Sequence, residues 1–557
     1  MNNSEKIFIG AAWPYANGPL HWGHVASLLP ADILARYHRL KGDQVLFVSG
    51  SDCHGTPISM KAQQKEIEPK QLAEKYDQKF RSNLIEKLGF SYDVYSKTTE
   101  SQHKEVVQEI FLKLLDEELL YEKTQELPYC ENCDKFLPDR YVEGECPHCD
   151  FEEARGDQCD DCGSLLDADE LINPRCKFCG ETPQWKESTH FFLKLSALED
   201  ELKDWVESHE EWRTNAYQYT LNMLEDGLED RAVTRDIDWG IDVPVDGYEG
   251  KKIYVWFEAV SGYLSASKRR SNWKDFWKED AFHYYVHGKD NIAFHTVIWP
   301  TILTGLNQAD SKQLSLPDQI VSSEYLNLEG KQLSTSRNWA IWLDDFLQKY
   351  NPDSLRYYLT INGPETADAN FTWESYQARN NKELVAKYGN FVHRTLNLIE
   401  SNYNGEVPEA DELAQKDKEL LDNTEQKYER VGNLIEQTKF RKALKEVFEL
   451  AEQANQYIDQ QAPWDKINEK PERAKTILHI CVQLILNLRI LTQPFLPFAA
   501  QEIKKWSSAP LKNKWKLQEV PQDLTFTEVE PLFESIDDET VEKELKELKE
   551  KSEEVKE

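Results

Sequence analysis

The sequence predicts an α/β fold: a doubly wound (Rossmann-type) parallel-sheet domain, split by a zinc-binding insertion and followed by an α-helical bundle. Three observations carry this. Apolar runs at residues 6–12, 44–49 and 283–287 have the length of buried strands, and helical periodicity follows the first and third. Four Cys-x-x-Cys pairs fall together, at Cys130/Cys133, Cys146/Cys149, Cys159/Cys162 and Cys176/Cys179. Residues 376 to about 505 carry long helical periodicity, broken by Pro463 and by Pro494 and Pro497.

The first run reads as a buried parallel strand. From His24 onward, Ala26, Leu29, Ile33, Leu34 and Tyr37 recur at helical spacing. Between them stands Pro14-Tyr15-Ala16-Asn17-Gly18-Pro19-Leu20-His21-Trp22-Gly23-His24. A strand-to-helix turn at the end of such a sheet is where ligands bind. Gly18 and Gly23 admit close backbone approach, and the helix N-terminus favours an anion. Two imidazoles three positions apart can hydrogen-bond phosphate oxygens as charge develops. Taken alone, such a pair is as often a metal site or a surface feature. In this setting the stretch resembles the "HIGH" signature of class I aminoacyl-tRNA synthetases, with Trp22 in the variable second position. The flanking Trp13 to Gly18 narrows the resemblance to the methionyl-tRNA synthetase family. It implies that Asn17, Gly23 and His24 touch ATP, and that His21 and His24 stabilise the transition state of amino-acid activation.

Residues 44–49 read as the second strand, and Gly50-Ser51-Asp52-Cys53-His54-Gly55-Thr56-Pro57 follows its C-terminal end. A carboxylate there can pair with a substrate ammonium. Alternatively, Asp52 caps a helix starting near Pro57. The resemblance favours the first reading, since Asp52 matches the family's contact to the methionine ammonium. Residues 60 to 116 are charged and helix-like. In the insertion, each cysteine pair supplies two thiolates from one tight turn, and two pairs complete a tetrahedral site with no open position. Eight thiolates therefore make two structural sites, and four copies weigh against redox chemistry. Spacing leaves the pairing open. The resemblance implies a nested arrangement, with Cys146, Cys149, Cys159 and Cys162 on one zinc ion and Cys130, Cys133, Cys176 and Cys179 on the other.

Residues 252–256 read as a further strand, with 257–267 as the segment that follows it. Residues 283–287 lead through Gly288-Lys289-Asp290 into a helix carrying His295 and Trp299. A thioether substrate needs an apolar, polarisable pocket. For each aromatic taken singly, core packing is the better account. The resemblance groups Ala12, Trp13, Tyr15, Trp256, Ala259, Val260, Tyr263, His295 and Trp299 as the methionine pocket; Val260 stands where a proline is usual, and Trp13 where a leucine is frequent. It also places Gly288 and Asp290 near adenosine. Lys331-Gln332-Leu333-Ser334-Thr335-Ser336-Arg337 aligns with the mobile "KMSKS" loop, whose lysines meet the ATP phosphates. Gln332 and Thr335 stand at both lysine positions, leaving Lys331 and Arg337 to supply charge beside Ser334, Thr335 and Ser336.

In the helical part, Asn390, Arg394, Pro463 and Trp464 match the family's anticodon-reading positions. A tryptophan stacks on an unpaired base and Asn or Arg reads its edge; by itself, Pro463-Trp464 would only cap a helix and fill a gap. From about Glu534 the chain is nearly all Glu, Lys, Asp and Leu, and reads as a solvated helix or a disordered tail.

The expected division is 1–116 and 230–325 as the two catalytic halves, 117–229 as the insertion, 326–375 as the loop and connection, 376–520 as the bundle and 521–557 as the tail. The chain has 557 residues and a net charge of −34. That charge opposes a nucleic-acid partner only in sum, since binding depends on a local patch. With no signal peptide and no run of eighteen apolar residues, a cytoplasmic monomer with no membrane span is expected. The expected function is ATP-dependent methionine activation, with Mg²⁺, and transfer to methionine tRNA. The alternatives are a non-catalytic tRNA-binding paralogue, favoured only by Gln332 and Thr335, and a class I synthetase for another aliphatic amino acid.

Overall fold

In the computed structural model, which describes residues 4–553 apart from 157, 158, 160, 163–165, 167, 279, 311–313 and 336, five parallel strands make the central sheet. They are β1 (Lys6–Ala11), β2 (Gln44–Ser51), β3 (Val94–Lys97), β4 (Ala281–Gly288) and β5 (Gln319–Ser323). Their order is β5-β4-β1-β2-β3. Ile9 of β1 pairs with Phe47 on one side and Tyr284 on the other. Phe8 and Ile9 point to opposite faces and both are fully buried, which is why β1 is apolar throughout rather than alternating. The chain grows one way from β1 through β2 and β3, then returns to the other side for β4 and β5. The reversal lies between β1 and β4, and the crevice beyond their C-terminal ends is the place for a ligand.

Two readings of this region change. β3 lies inside the stretch read as helix-like, and residues 252–256 add no strand to the sheet. Only Lys252–Ile253 forms a strand, pairing antiparallel with Thr234–Arg235, and after the extended Tyr254 helix α2 (Val255–Ser267) starts. An apolar run of five residues cannot by its periodicity distinguish strand from helix. The arrangement of Trp256, Ala259, Val260 and Tyr263 at i, i+3, i+4 and i+7 is the helical one.

Helix α1 (Trp22–Lys41) follows β1 and ends at Gly42, whose φ of 104° is a conformation suited to glycine. In the insertion, Leu120–Cys130 and Gln184–Leu193 form a long antiparallel ribbon that presents the cysteine region at its far end. Met60 packs against the small core built there around Leu137 and Val142.

After α3 (Pro352–Ile361) the chain becomes helical, with α4 (Asn390–Tyr403), α5 (Gln415–Glu436), α6 (Phe440–Gln461) and α7 (Pro471–Thr492). Among the described residues, α7 alone is long and apolar enough to cross a membrane, yet 89% of that window is buried within the protein. It is the core helix of the bundle. Arg356 of α3 joins bundle to sheet: fully buried, it meets Asp32 of α1 at 2.7 Å and donates to the carbonyls of Pro494 and Phe495. Burial opposes the Asp32 charge, but Arg36 and Arg356 outweigh it and hold the carboxyl well below its usual range. Removing one partner of such a pair leaves an uncompensated buried charge, at a cost of about 3–5 kcal/mol.

Residues 538–553 form a helix with a solvated face, but the helix is docked rather than free. Helix α8 (Asp538–Glu553) buries Val541 and Leu548, seven residues apart on one face. Glu544 accepts from Lys349 at 2.8 Å and from Tyr350 at 2.9 Å, and Lys551 meets Asp345 at 3.1 Å. Composition showed the charged face; the sparse apolar stripe is what docks.

Candidate active site

The turn after β1 is tied to the turn after β2. Ala16 N–H donates to the Asp52 carbonyl at 2.7 Å, and Asp52 N–H to the Pro14 carbonyl at 2.9 Å. Next comes the start of α1, where the two histidines cap the helix reciprocally. His21 Nδ1 accepts from Gly23 N–H and His24 Nδ1 accepts from His21 N–H, both at 3.1 Å. An Nδ1 that accepts leaves the ring proton on Nε2. Burial lowers both pKa values, that of His24 to about 4. At neutral pH the pair is therefore two neutral rings, 3.9 Å apart between centroids, each with one Nε2–H donor. Gly23 is needed there: a Cβ would come within 3.0 Å of both His21 and Leu333.

Leu333 belongs to the Lys331–Arg337 segment, so the structure brings that loop against the histidine turn. Backbone pairing of Ile341 with Trp22 and of Leu343 with Leu20 holds the downstream chain in place. The loop is a hairpin closed by two bonds between Ser334 and Trp339, with Arg337 Nε donating to Ser334 Oγ at 3.2 Å. Lys331 Nζ lies 4.7 Å over the Trp339 ring. Thr335 is at the tip, where its carbonyl accepts from Asn338 N–H. Ser336 lies outside the described residues.

Asp52 is 2% exposed and has no cationic partner among the described residues; its carboxyl accepts only the nearby His54 N–H, at 3.3 Å. The following helix (Thr56–Gln64) has no side-chain cap, so Asp52 does not serve as one. Burial, together with the neighbouring Glu258, pushes its pKa well above the usual carboxylate range. A buried carboxylate in this state gains most from an arriving ammonium.

Aromatic rings line the approach. Trp256 stacks on Phe294 at 4.1 Å and 11°, and meets Tyr15 edge-on at 5.7 Å. Tyr263 donates to His295 Nε2 at 2.8 Å, while His295 Nδ1 donates to the Asn291 carbonyl at 2.8 Å. Trp13 lies flat between Gly50 and Gly262, where a Cβ would approach its ring to 2.7 and 2.8 Å respectively. Ala12 is held to β4 through the Val286 carbonyl at 2.9 Å. Ala259 and Val260 are buried on α2 beside these rings. Trp299 is fully buried and donates to Tyr285 Oη at 2.9 Å, its ring 6.3 Å from Tyr263. Asn17 and Gly18 are half-buried in the turn before α1; Gly288 ends β4 and Asp290 follows it, at the switch point.

Sequence reasoning missed several residues. Phe294 completes the Trp256 stack. Glu258, fully buried, bonds His54 Nδ1 at 2.5 Å, with His103 Nε2 3.6 Å away. A glutamate within the apolar stretch of α2 was the available signal, because a buried carboxylate needs a partner.

The eight cysteines gather as two groups, Cys130, Cys133, Cys176 and Cys179, and Cys146, Cys149, Cys159 and Cys162, with ligand atoms within 4.8 Å of one another. This is the nested arrangement. Sulfur separations of 3.4–3.9 Å exceed a disulfide bond and match the edge of about 3.8 Å set by a tetrahedron of Zn–S bonds near 2.3 Å. Each group can hold one zinc ion. Cys53 and Cys481 are buried and free.

On the bundle, Asn390 is exposed on α4, and Arg394 lies 5.6 Å over the Trp464 ring and 2.7 Å from Asp459. Trp464 is 40% exposed, so it fills no gap, while Pro463 is buried at the helix start. His393 and Asn397 share the face of Asn390 and Arg394, an association that helical spacing alone could have supplied.

The sheet, its switch point and the capped histidine pair define a class I aminoacyl-tRNA synthetase, and residues 7–396 match the family model described as tRNA synthetases class I (M). Residues 407–552 match the anticodon binding domain of methionyl tRNA ligase, a match that runs through α8. The chain belongs to the methionine–tRNA ligase family. It is 48% identical to the methionine–tRNA ligases of Bacillus cereus and Bacillus mycoides over 551 residues, covering 98% of this chain and 99% of each relative. The fold also matches Mycobacterium tuberculosis methionyl-tRNA synthetase in complex with methionyl-adenylate, with a TM-score of 0.79, 23% identity, and coverage of 95% of this chain and 99% of that one.

Proposed function

We propose that this chain activates L-methionine with ATP and transfers it to the 3′ end of methionine tRNA. The buried Asp52, which has no cationic partner among the described residues and whose backbone pairs with Tyr15, the ring that meets the Trp256–Phe294 stack, carries the reading. It offers a carboxylate for the amino acid's ammonium, next to apolar, polarisable surface for a thioether. The methionine carboxylate attacks the ATP α-phosphorus in line; the bond to the β-phosphate oxygen breaks and pyrophosphate leaves. A ribose hydroxyl of the tRNA then attacks the activated carbonyl and AMP leaves.

No side chain acts as nucleophile. The Nε2–H donors of His21 and His24 and the N-terminus of α1 face the developing negative charge. Asn17, Gly23, Gly288, Asp290 and Thr335 serve ATP. Lys331 and Arg337, beside Ser334, Thr335 and Ser336, supply charge to the pyrophosphate. Ala12, Trp13, Tyr15, Trp256, Ala259, Val260, Tyr263, His295 and Trp299 form the methionine surroundings. Mg²⁺ accompanies ATP and neutralises part of its charge. Zinc in the two thiolate groups is structural. Asn390, Arg394, Pro463 and Trp464 read the anticodon. We read the protein as a cytoplasmic monomer, organised as the six segments given above.

The test is methionine-dependent exchange of pyrophosphate into ATP, with Asp52→Asn beside wild type. Asparagine keeps an acceptor for His54 N–H but loses the charge. A rise in methionine KM of at least about tenfold is expected. Wild-type protein without exchange would leave a tRNA-binding paralogue.

A further inference from the structure

Asp290 stands in the turn after β4, and Tyr325 lies just before the strand Leu326–Leu328 that leads into the Lys331–Arg337 hairpin. The two are joined: the Tyr325 hydroxyl donates to Asp290 Oδ1. Tyr325 is itself fixed at two other points. Its backbone N–H donates to Asp368 Oδ1 at 2.9 Å, and Lys289 Nζ lies 3.9 Å over its ring. Lys289 is held by Glu324 at 2.8 Å and Asp368 at 3.1 Å. One lysine therefore serves two carboxylates, with Asp290 as a third.

The charge decides what this corner can receive. Lys289 and the buried Arg213, whose charge reaches Glu324, stand against three carboxylates, so the corner stays net negative and Lys289 is already committed. Such a surface repels phosphate and accepts hydrogen bonds from neutral hydroxyls. An exposed aspartate on a turn would otherwise turn freely. The Tyr325 bond occupies one oxygen, orients the carboxylate and leaves its remaining lone pairs to a ligand.

We propose that Tyr325 is a positioning residue that sets Asp290 to accept the ribose hydroxyls of ATP, and so determines the preference for ATP over deoxy-ATP. The inference rests on the reading of Asp290 as adenosine-facing. A site built to hydrogen-bond a hydroxyl discriminates strongly against the analogue that lacks it, and only while its acceptor is held in place. The same tyrosine precedes the strand that feeds the phosphate loop, so the sugar contact and the loop share one anchor.

The experiment uses the full chain and measures methionine-dependent pyrophosphate exchange with ATP, 2′-deoxy-ATP and 3′-deoxy-ATP. Tyr325→Phe removes one oxygen and keeps the ring beneath Lys289. Its KM for ATP should rise about fivefold, with kcat within about twofold and methionine KM unchanged. The ratio of kcat/KM for ATP to that for at least one deoxy analogue should fall by about threefold or more. Unchanged ratios for both analogues overturn the proposal, whether or not KM moves, since a merely structural tyrosine would affect all three nucleotides alike. Asp290→Ala separates the two levels. If it too leaves both ratios at wild type, the adenosine reading of Asp290 fails; if it collapses a ratio that Tyr325→Phe leaves intact, only the role of Tyr325 fails.

Discussion

His24 Nδ1 accepts the backbone N–H of His21 at 3.1 Å, while His21 Nδ1 accepts from Gly23 at 3.1 Å. Each ring is therefore a helix cap at one nitrogen and a free donor at the other. The two roles can be separated. Asparagine at position 21 is a good N-cap acceptor but has no donor at the Nε2 position. His21→Asn should unfold within about 1 kcal/mol of wild type yet activate methionine roughly a hundredfold more slowly. Urea titration and pyrophosphate exchange check this; equal losses in both would make His21 a cap alone.

The loop carries Gln332 and Thr335 where lysines are usual, so its charge rests on Lys331 and Arg337. Lys289 does not substitute, being held by Glu324 and Asp368. Lys331→Ala or Arg337→Ala should lower kcat for activation at least about tenfold, roughly 1.4 kcal/mol in the barrier, with methionine KM little changed. If both variants turn over normally, this hairpin is not the phosphate clamp.

Metal analysis of reduced protein should return two zinc ions per chain. Cys146→Ser should return one, because its three remaining partners no longer close a four-thiolate site. Loss of both ions together would show the two sites to be a single folding unit.

Trp464→Ala should weaken aminoacylation of the tRNA while leaving pyrophosphate exchange intact. Loss of one stacked base removes about 1–3 kcal/mol. A parallel fall in both assays would assign Trp464 to the fold.

Acid should destabilise the protein by forcing protons onto histidines that are buried neutral. Burial lowers the pKa values of His283 and His295 to about 4, from 6.5 in the unfolded chain. Below pH 6.5 the unfolded chain binds protons that the folded one refuses, so stability present above 6.5 is lost as pH falls toward 4. At pH 5 this is about 2 kcal/mol for each histidine. Asp353, pushed up to about 6 by burial, works in the opposite direction and recovers about 1 kcal/mol. Denaturant titrations at pH 7.5 and 5 should show the net loss, and His283→Gln should flatten the difference by about 2 kcal/mol.

What could be read from the chain alone was whatever local chemistry dictates. A glycine-flanked histidine pair after an apolar run marks a ligand turn. Thiolates at Cys-x-x-Cys spacing have few other uses, and Trp464 directly after Pro463 stands at a helix start. These signals survive without contacts, because residue type and spacing already limit the chemistry. The tertiary structure decided what depends on partners distant in sequence. Val255 begins a helix rather than extending a strand because the rings of α2 pack against the sheet and Phe294, 38 residues after Trp256. Glu258 finds a hydrogen-bond partner only because α2 brings it to His54, 204 residues away. α8 is ordered because Glu544 reaches Tyr350 and Lys349 while Val541 and Leu548 find apolar cover. A sequence lists the groups that must be satisfied when buried; only the folded chain, by setting distances, determines which of them meet.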